Sequence, residues 1–237
     1  MRILGLIPAR GGSKGILRKN IKRLHGKELI RYSIEAGLRC GFLDTVLVST
    51  DDEEIAAVSR RAGAEVPFLR PAALASDASP TIDTVIHALR FMEERQDYFD
   101  AICLLQPTVP FRDQTDLDHA IQHFMTSDAD SLISVREVPH VYNPYWVYEQ
   151  DNESGFLKLA KAMKSVIPRR QDLPTTYHRD GSVYLVKKEI VLTNRSLYGN
   201  KITHYVMQHS PNINIDTTDD WNKAEKYASE NFESANE

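Results

Sequence analysis

Three short stretches of this sequence carry residues that could do chemistry. Nearest the N-terminus, Arg10-Gly11-Gly12-Ser13-Lys14-Gly15 is a basic, glycine-rich turn with Lys19 just beyond it. Glycines let a backbone approach a ligand closely, and their amides can converge on an anion beside fixed cations. Polyphosphate binding is the chemistry this suits, although a tight turn with solvated charges has the same composition. It is not a P-loop, which needs Gly, four residues and then Gly-Lys-Ser/Thr, nor a dinucleotide fingerprint, because its glycines fall at 11, 12 and 15. The second stretch is Gln106-Pro107-Thr108-Val109-Pro110-Phe111-Arg112, where a polar amide ends an apolar run and two prolines extend the loop. In the third, Asn214-Ile215-Asp216-Thr217, alternation along an extended chain puts residues 214 and 216 on one face. Asp216 could hold magnesium, which takes oxygen ligands and needs only one or two carboxylates. With Thr217 and Asp219 it could equally cap the helix that follows.

The surrounding pattern says how these stretches are positioned. The apolar run at 3–7 predicts a strand buried on both faces, with pairing expected to stop at Pro8, which has no amide hydrogen. Further strands are predicted at 45–50, 65–68, 101–105, 131–135, 182–186 and 202–207. Helices are predicted at 29–38, from 51 onward, and at 82–94, 114–124 and 221–231. This alternation implies one α/β domain over residues 1–237, a three-layer sandwich on a mostly parallel, Rossmann-like sheet. Gln106 and Arg112 then lie at a strand's carboxyl end, where open α/β sheets bind ligands. Residues 139–177 break the rhythm, with Tyr142, Tyr145, Trp146 and Tyr148 followed by the basic run Pro168-Arg169-Arg170-Gln171-Asp172-Leu173-Pro174. A long irregular excursion inside a compact domain is usually functional. The last few residues are polar and are expected to fray.

Composition narrows the classes. Net charge is −4 and no long basic run occurs, so nucleic acid is not an expected partner. Cys40 and Cys103 lie in apolar segments and read as buried thiols. The N-terminal apolar run is short for a signal peptide, and nothing approaches the ~20 apolar residues of a membrane span. A cytoplasmic chain with no membrane contact is expected.

Ile7-Pro8-Ala9-Arg10-Gly11-Gly12-Ser13-Lys14-Gly15, followed by Lys19-Asn20-Ile21, resembles the signature of the acylneuraminate cytidylyltransferases, the CMP-sialic acid synthetase family. The likeness recurs along nearly the whole chain. It implies an enzyme that moves CMP from CTP to the anomeric hydroxyl of a nonulosonic acid, with Mg2+ as cofactor and pyrophosphate released. It further implies that Ala9, Arg10, Gly11, Gly12, Ser13, Lys14, Asn20, Arg70 and Thr81 contact the nucleotide, with Asp51 near it. Arg10, Lys14 and Lys19 would clamp phosphates, and Asp216 with Asn214 would hold the metal. Gln106, Arg112, Arg170, Asp180 and Tyr184 would meet the sugar acid. The excursion would form a homodimer, with Arg170 entering the partner's site.

The sequence departs from the family pattern in three places. Asn214 replaces the first acid of Asp-Ile-Asp-Thr, Asp180 replaces an asparagine before Gly181, and Trp146 stands where sialic acid enzymes have a lysine. These changes surround the sugar, so another keto-deoxy acid, or GTP in place of CTP, stays open. Two other classes compete. A nucleotide-sugar-dependent glycosyltransferase is suggested only by the acid-x-acid triplet Asp128-Ala129-Asp130, and a non-catalytic homologue only by the acid lost at 214.

Overall fold

Strand β1 (Ile3–Pro8) is followed by a small hairpin, β2 (Arg23–Leu24) and β3 (Lys27–Glu28), and by helix α1 (Leu29–Arg39). Next come β4 (Thr45–Ser49), α2 (Glu53–Arg61), α3 (Thr81–Glu94), β5 (Ala101–Leu104), α4 (Gln114–Thr126) and β6 (Ser131–Glu137). A second hairpin, β7 (Tyr148–Gln150) and β8 (Leu157–Leu159), precedes β9 (Tyr177–Lys187), α5 (Lys188–Asn194), β10 (Ile202–Val206) and α6 (Thr218–Asn231). The structure is a computed structural model that describes residues 1–161, 163 and 165–232. The expected fraying of the last few residues falls outside these, as do positions 162 and 164 of the excursion.

The main sheet has the order β10-β6-β9-β5-β1-β4. Its centre is parallel, with β1 between β4 and β5, while β9 joins β5 antiparallel, placing Leu104 opposite Tyr184. Alternation along β1 builds the layers. Ile3 and Ile7 face one cluster with Ile30 and Ile34 of α1, Ile55 of α2 and Phe124 of α4. Leu4 and Leu6 face the other, with Val85 and Leu89 of α3 and Val191 of α5. A third, smaller core joins α6 to the first hairpin through Leu24, Leu29, Trp221 and Ala224, and it takes in Ile16, Phe111 and Ile215. Cys40 and Cys103 are buried free thiols, and burial pushes Cys40 up to about 12.

Two expectations are corrected. Pairing continues through Pro8, which lies opposite Ser49, because the next amide, Ala9 N–H, donates to the Ser49 carbonyl at 3.0 Å. The strand expected at 65–68 is a single bridge between Glu65 and Leu47, and Pro67 has no donor with which to extend it. Helix α5 was not foreseen, since its short length gives little helical periodicity.

The chain divides into two compact units, residues 1–134 with 180–237, and residues 135–179. The smaller unit is built on the β7–β8 hairpin, with Tyr148 opposite Leu159. Asp151 caps its turn by accepting from Glu153 and Ser154 amides, and Gly155 there has φ +73. Trp146 Nε1 donates to the Ile167 carbonyl at 2.7 Å, and Lys161 Nζ stands 3.8 Å from the Tyr145 ring centre. Tyr142, Phe156 and Leu157 are exposed on this unit.

Candidate active site

Within the larger unit, a cleft of about 400 Å³ is lined by Pro8 at the end of β1, Gln106–Thr108 after β5, and Thr81 and Thr84 at the start of α3. Arg10, Lys14, Lys19 and Arg70 line it as cations, and Asp77 and Asp216 as carboxylates. A helix N-terminus beside grouped cations favours an anion. Asn20, nearly buried, fixes the loop by donating Nδ2 to the Arg10 carbonyl at 3.0 Å. Asp77 bridges the two loop cations, with Arg10 Nη1 at 2.5 Å and Lys14 Nζ at 2.6 Å.

Arg70 is the strongest sign of a ligand. It is 7% exposed, and Nη1 donates to Thr84 Oγ1 at 2.9 Å. Its Nε and Nη2 have no hydrogen-bond partner among the described residues, and Asp51 Oδ1 is 3.9 Å from Nη2. Burial, helped by Arg10 and opposed by Asp51, lowers the guanidinium below its ordinary value. Buried donors left unpaired are costly, so an anionic oxygen is the partner this side chain lacks.

The loop amides are arranged differently from the expected anion cradle. Gly11 N–H donates to Asp51 Oδ1 at 3.0 Å and Ser13 N–H to the Gly11 carbonyl at 3.1 Å. Side chains therefore form the cationic wall. Glycine at 15 serves a close approach within the protein, since a Cβ there would collide with the Asp216 carbonyl oxygen. Lys19 fastens the same junction, with Nζ donating to the Ile215 carbonyl at 2.7 Å and to Asp216 Oδ1 at 3.2 Å.

Asp216 is held by its neighbours. Ile213 and Ile215 pack into the third core, while Asn214 and Asp216 face outward, and Ile215 N–H donates to the Thr108 carbonyl at 2.8 Å. Thr217 caps α6 in a reciprocal pair with Asp220, so the Asp216 carboxylate is not needed as the cap. Asn214 Nδ2 donates to Asp216 Oδ2 at 2.9 Å and keeps its own oxygen as an acceptor. An outward carboxylate beside an amide oxygen is a hard donor set. Oxygen donors of this kind suit a hard divalent cation, which needs only one or two carboxylates from the protein.

Several expected substrate residues are elsewhere. Arg112 is 6% exposed and spends its donors inside the protein. Nε bonds the Ser182 carbonyl at 2.7 Å, Nη1 bonds Ser33 Oγ and the Val109 carbonyl, and Nη2 bonds the Gln106 carbonyl. Burial pushes its guanidinium down to about 10. It thus shapes the loop that presents Gln106 rather than meeting the cleft. Asp180 accepts from Ser134 Oγ and from Ser182 N–H and Oγ, joining β6 to β9. Tyr184 belongs to the core beside Tyr198. Ala9, Gly11 and Gly12 are absent from the residues that line the cleft. Arg170 opens a 3₁₀ turn in the smaller unit, where it lines a separate hollow with His140 and Asn143. The Asp128–Asp130 triplet is engaged locally, with Lys201 on Asp128 and the Asn200 and Lys201 amides on Asp130. Sequence reasoning missed Asp77, Ser76, Ser79, Thr84 and Thr108 in the cleft. The polar turn at 75–81 was the only signal for the first three.

Comparison with known proteins identifies the family. A family model described as cytidylyltransferase covers residues 4–236. The CMP-N,N'-diacetyllegionaminic acid synthase of Legionella pneumophila is 36% identical over 228 residues, covering 95% of this chain and 96% of that protein. The pseudaminic acid cytidylyltransferase of Campylobacter jejuni is 33% identical over 235 residues, covering 99% of this chain and all of that one. An N-acylneuraminate cytidylyltransferase of Escherichia coli is 30% identical across 94% of this chain, which spans only 51% of that longer protein. Among solved structures, a CMP:2-keto-3-deoxy-manno-octonic acid synthetase complexed with CTP aligns over 98% of this chain and 100% of its own, with TM-score 0.75 at 14% identity, a likeness of fold. The chain belongs to the cytidylyltransferase family, among its sialic-acid-like, acylneuraminate cytidylyltransferase members.

Proposed function

We propose that this enzyme transfers CMP from CTP to the anomeric hydroxyl of a nonulosonic acid and releases pyrophosphate. The observation that carries the reading is Arg70, a buried guanidinium with two unpartnered donors in a cleft that also holds Arg10, Lys14 and Asp216. Arg70 and the loop cations receive the nucleotide's anionic oxygens, and Gln106 lines the same wall. The hydroxyl gives up its proton to solvent and its oxygen forms a bond to the α-phosphorus as the bond to pyrophosphate breaks in line. Asp216, with Asn214 next to it in the chain segment, would hold Mg2+. When bound, the ion supplies charge stabilisation to the α-phosphate and the leaving group. Lys19 fixes Asp216 in place. Among the described residues no helix is long and apolar enough to cross a membrane, and the cytoplasm is the compartment proposed for the reaction.

The test is pyrophosphate release over a matrix of CTP, GTP, ATP and UTP against legionaminic, pseudaminic, N-acetylneuraminic and keto-deoxyoctonic acids. Turnover is expected with CTP and a nine-carbon acid. Turnover with GTP alone, or with no sugar acid at all, would overturn the assignment.

The smaller unit is assigned to homodimer formation, with Arg170 completing the partner's site for the acceptor carboxylate. Its exposed Tyr142, Phe156 and Leu157 support this, as does the bidentate fork of arginine. Arg170→Ala and Asp216→Ala should each be inactive alone, and co-refolded mixtures should regain activity through hybrid dimers with one intact site. No recovery in confirmed hybrids, or a monomer in solution, would refute the shared site.

A further inference from the structure

The cations of the phosphate site already hold an anion that belongs to the protein. Asp77 presents one carboxylate oxygen to Arg10 Nη1 and the other to Lys14 Nζ, at 2.5 and 2.6 Å. Two oxygens of one group bridging two cations is the arrangement a phosphate would adopt there. The segment that carries Asp77 is fastened chiefly to itself. Ser76 and Ser79 hydroxyls lie 2.6 Å apart, Ser79 Oγ donates to the Ala73 carbonyl, and Leu74 N–H donates to the Pro71 carbonyl. Lys14, and then Arg10, hold the Asp77 carboxyl below the usual carboxylate range, so it is charged at neutral pH.

We infer that Asp77 is an internal stand-in for phosphate and a specificity-determining residue, which any ligand using the Arg10–Lys14 pair must displace. This rests on reading the cleft as the triphosphate site. An intramolecular competitor weakens every ligand that needs the occupied groups by one common factor, and leaves other ligands untouched. CTP and pyrophosphate use the pair, whereas CMP has no β- or γ-phosphate to place there. Asp77 therefore lowers retention of pyrophosphate once transfer has occurred and keeps the clamp closed to weakly bound anions.

The test is calorimetric titration of the full-length protein in EDTA, with pyrophosphate and CMP as probes. Asp77→Asn keeps the size of the side chain and removes its charge, and Asp77→Ala is a second variant should the first misfold. The expected result is pyrophosphate binding tighter by about threefold or more, the scale of releasing two exposed ion pairs, with CMP within about twofold of wild type. Lys14→Ala separates the two layers of the reading. If it loses pyrophosphate while the Asp77 variants bind no more tightly than wild type, the clamp stands and the stand-in is refuted. If Lys14→Ala binds pyrophosphate like wild type, the phosphate reading of the clamp falls, and this inference with it. Tightening of CMP and pyrophosphate alike would also refute it, because general charge removal rather than competition would be the cause.

Discussion

Gly15→Ala is the sharpest perturbation of the junction between the glycine-rich loop at 10–15 and the segment that carries Asp216. A Cβ at residue 15 would approach the Asp216 carbonyl oxygen to well under 3.0 Å, a backbone atom that no rotamer change can remove. Gly12 has nothing within 4 Å of its would-be Cβ, so Gly12→Ala in the same loop is the matched control. Relief at residue 15 requires the loop and the 214–216 segment to part by roughly half an ångström to one ångström, against the packing of the flanking Ile16 and Ile215 in the third core. Lys19 spans this junction and would be stretched with it. A shift of that size at a reacting centre costs on the order of 100-fold in rate. The overpacking itself costs only about 1–3 kcal/mol of stability, so the fold should survive. The assay is initial-rate pyrophosphate release at saturating CTP and acceptor, with thermal melting of both variants. The expected result is a kcat loss near 100-fold in Gly15→Ala and less than about threefold in Gly12→Ala. A folded Gly15→Ala within about twofold of wild type would show that the contact with Asp216 has no part in positioning the site.

Two further outcomes follow from the same geometry. Asp216→Ala should abolish turnover while leaving the melting temperature near wild type, because the side chain is 63% exposed; substantial turnover at saturating magnesium would remove it from the metal site. Asp116, fully buried, accepts from the His209 and Ser210 amides and His209 Nδ1, anchoring the turn from which residues 211–216 run. Burial would raise its carboxyl, but the Ser210 and His209 donors outweigh this and lower it. A depressed carboxyl contributes stability that is fully present above its unfolded value near pH 4 and is lost as pH falls through the lower folded value. Asp116→Asn should therefore destabilise the protein by about 1–3 kcal/mol at pH 7, with the gap to wild type closing only below about pH 4 in denaturant titrations. A gap independent of pH down to pH 2 would mean that packing, not charge, is what the substitution removes.

Local pattern determined the strands of the main sheet, most helices, the three-layer class and the family, because burial periodicity and turn chemistry are written in neighbouring residues. β1 alternates Ile3 and Ile7 against Leu4 and Leu6, and that parity alone requires helices on both faces. It also put Asn214 and Asp216 on one face, opposite Ile213 and Ile215. What tertiary structure decided is which charged groups are available to a ligand. Arg70 and Arg112 look alike in sequence, each following an apolar run and near a proline, yet Arg112 finds four internal acceptors and Arg70 finds one. The Asp216–Gly15 approach joins residues about two hundred positions apart, and Asp77 meets Arg10 and Lys14 across more than sixty. No local pattern encodes such meetings. They arise when the sheet brings the carboxyl ends of its strands together, and a buried charge then keeps or loses its partners according to what the rest of the chain delivers there.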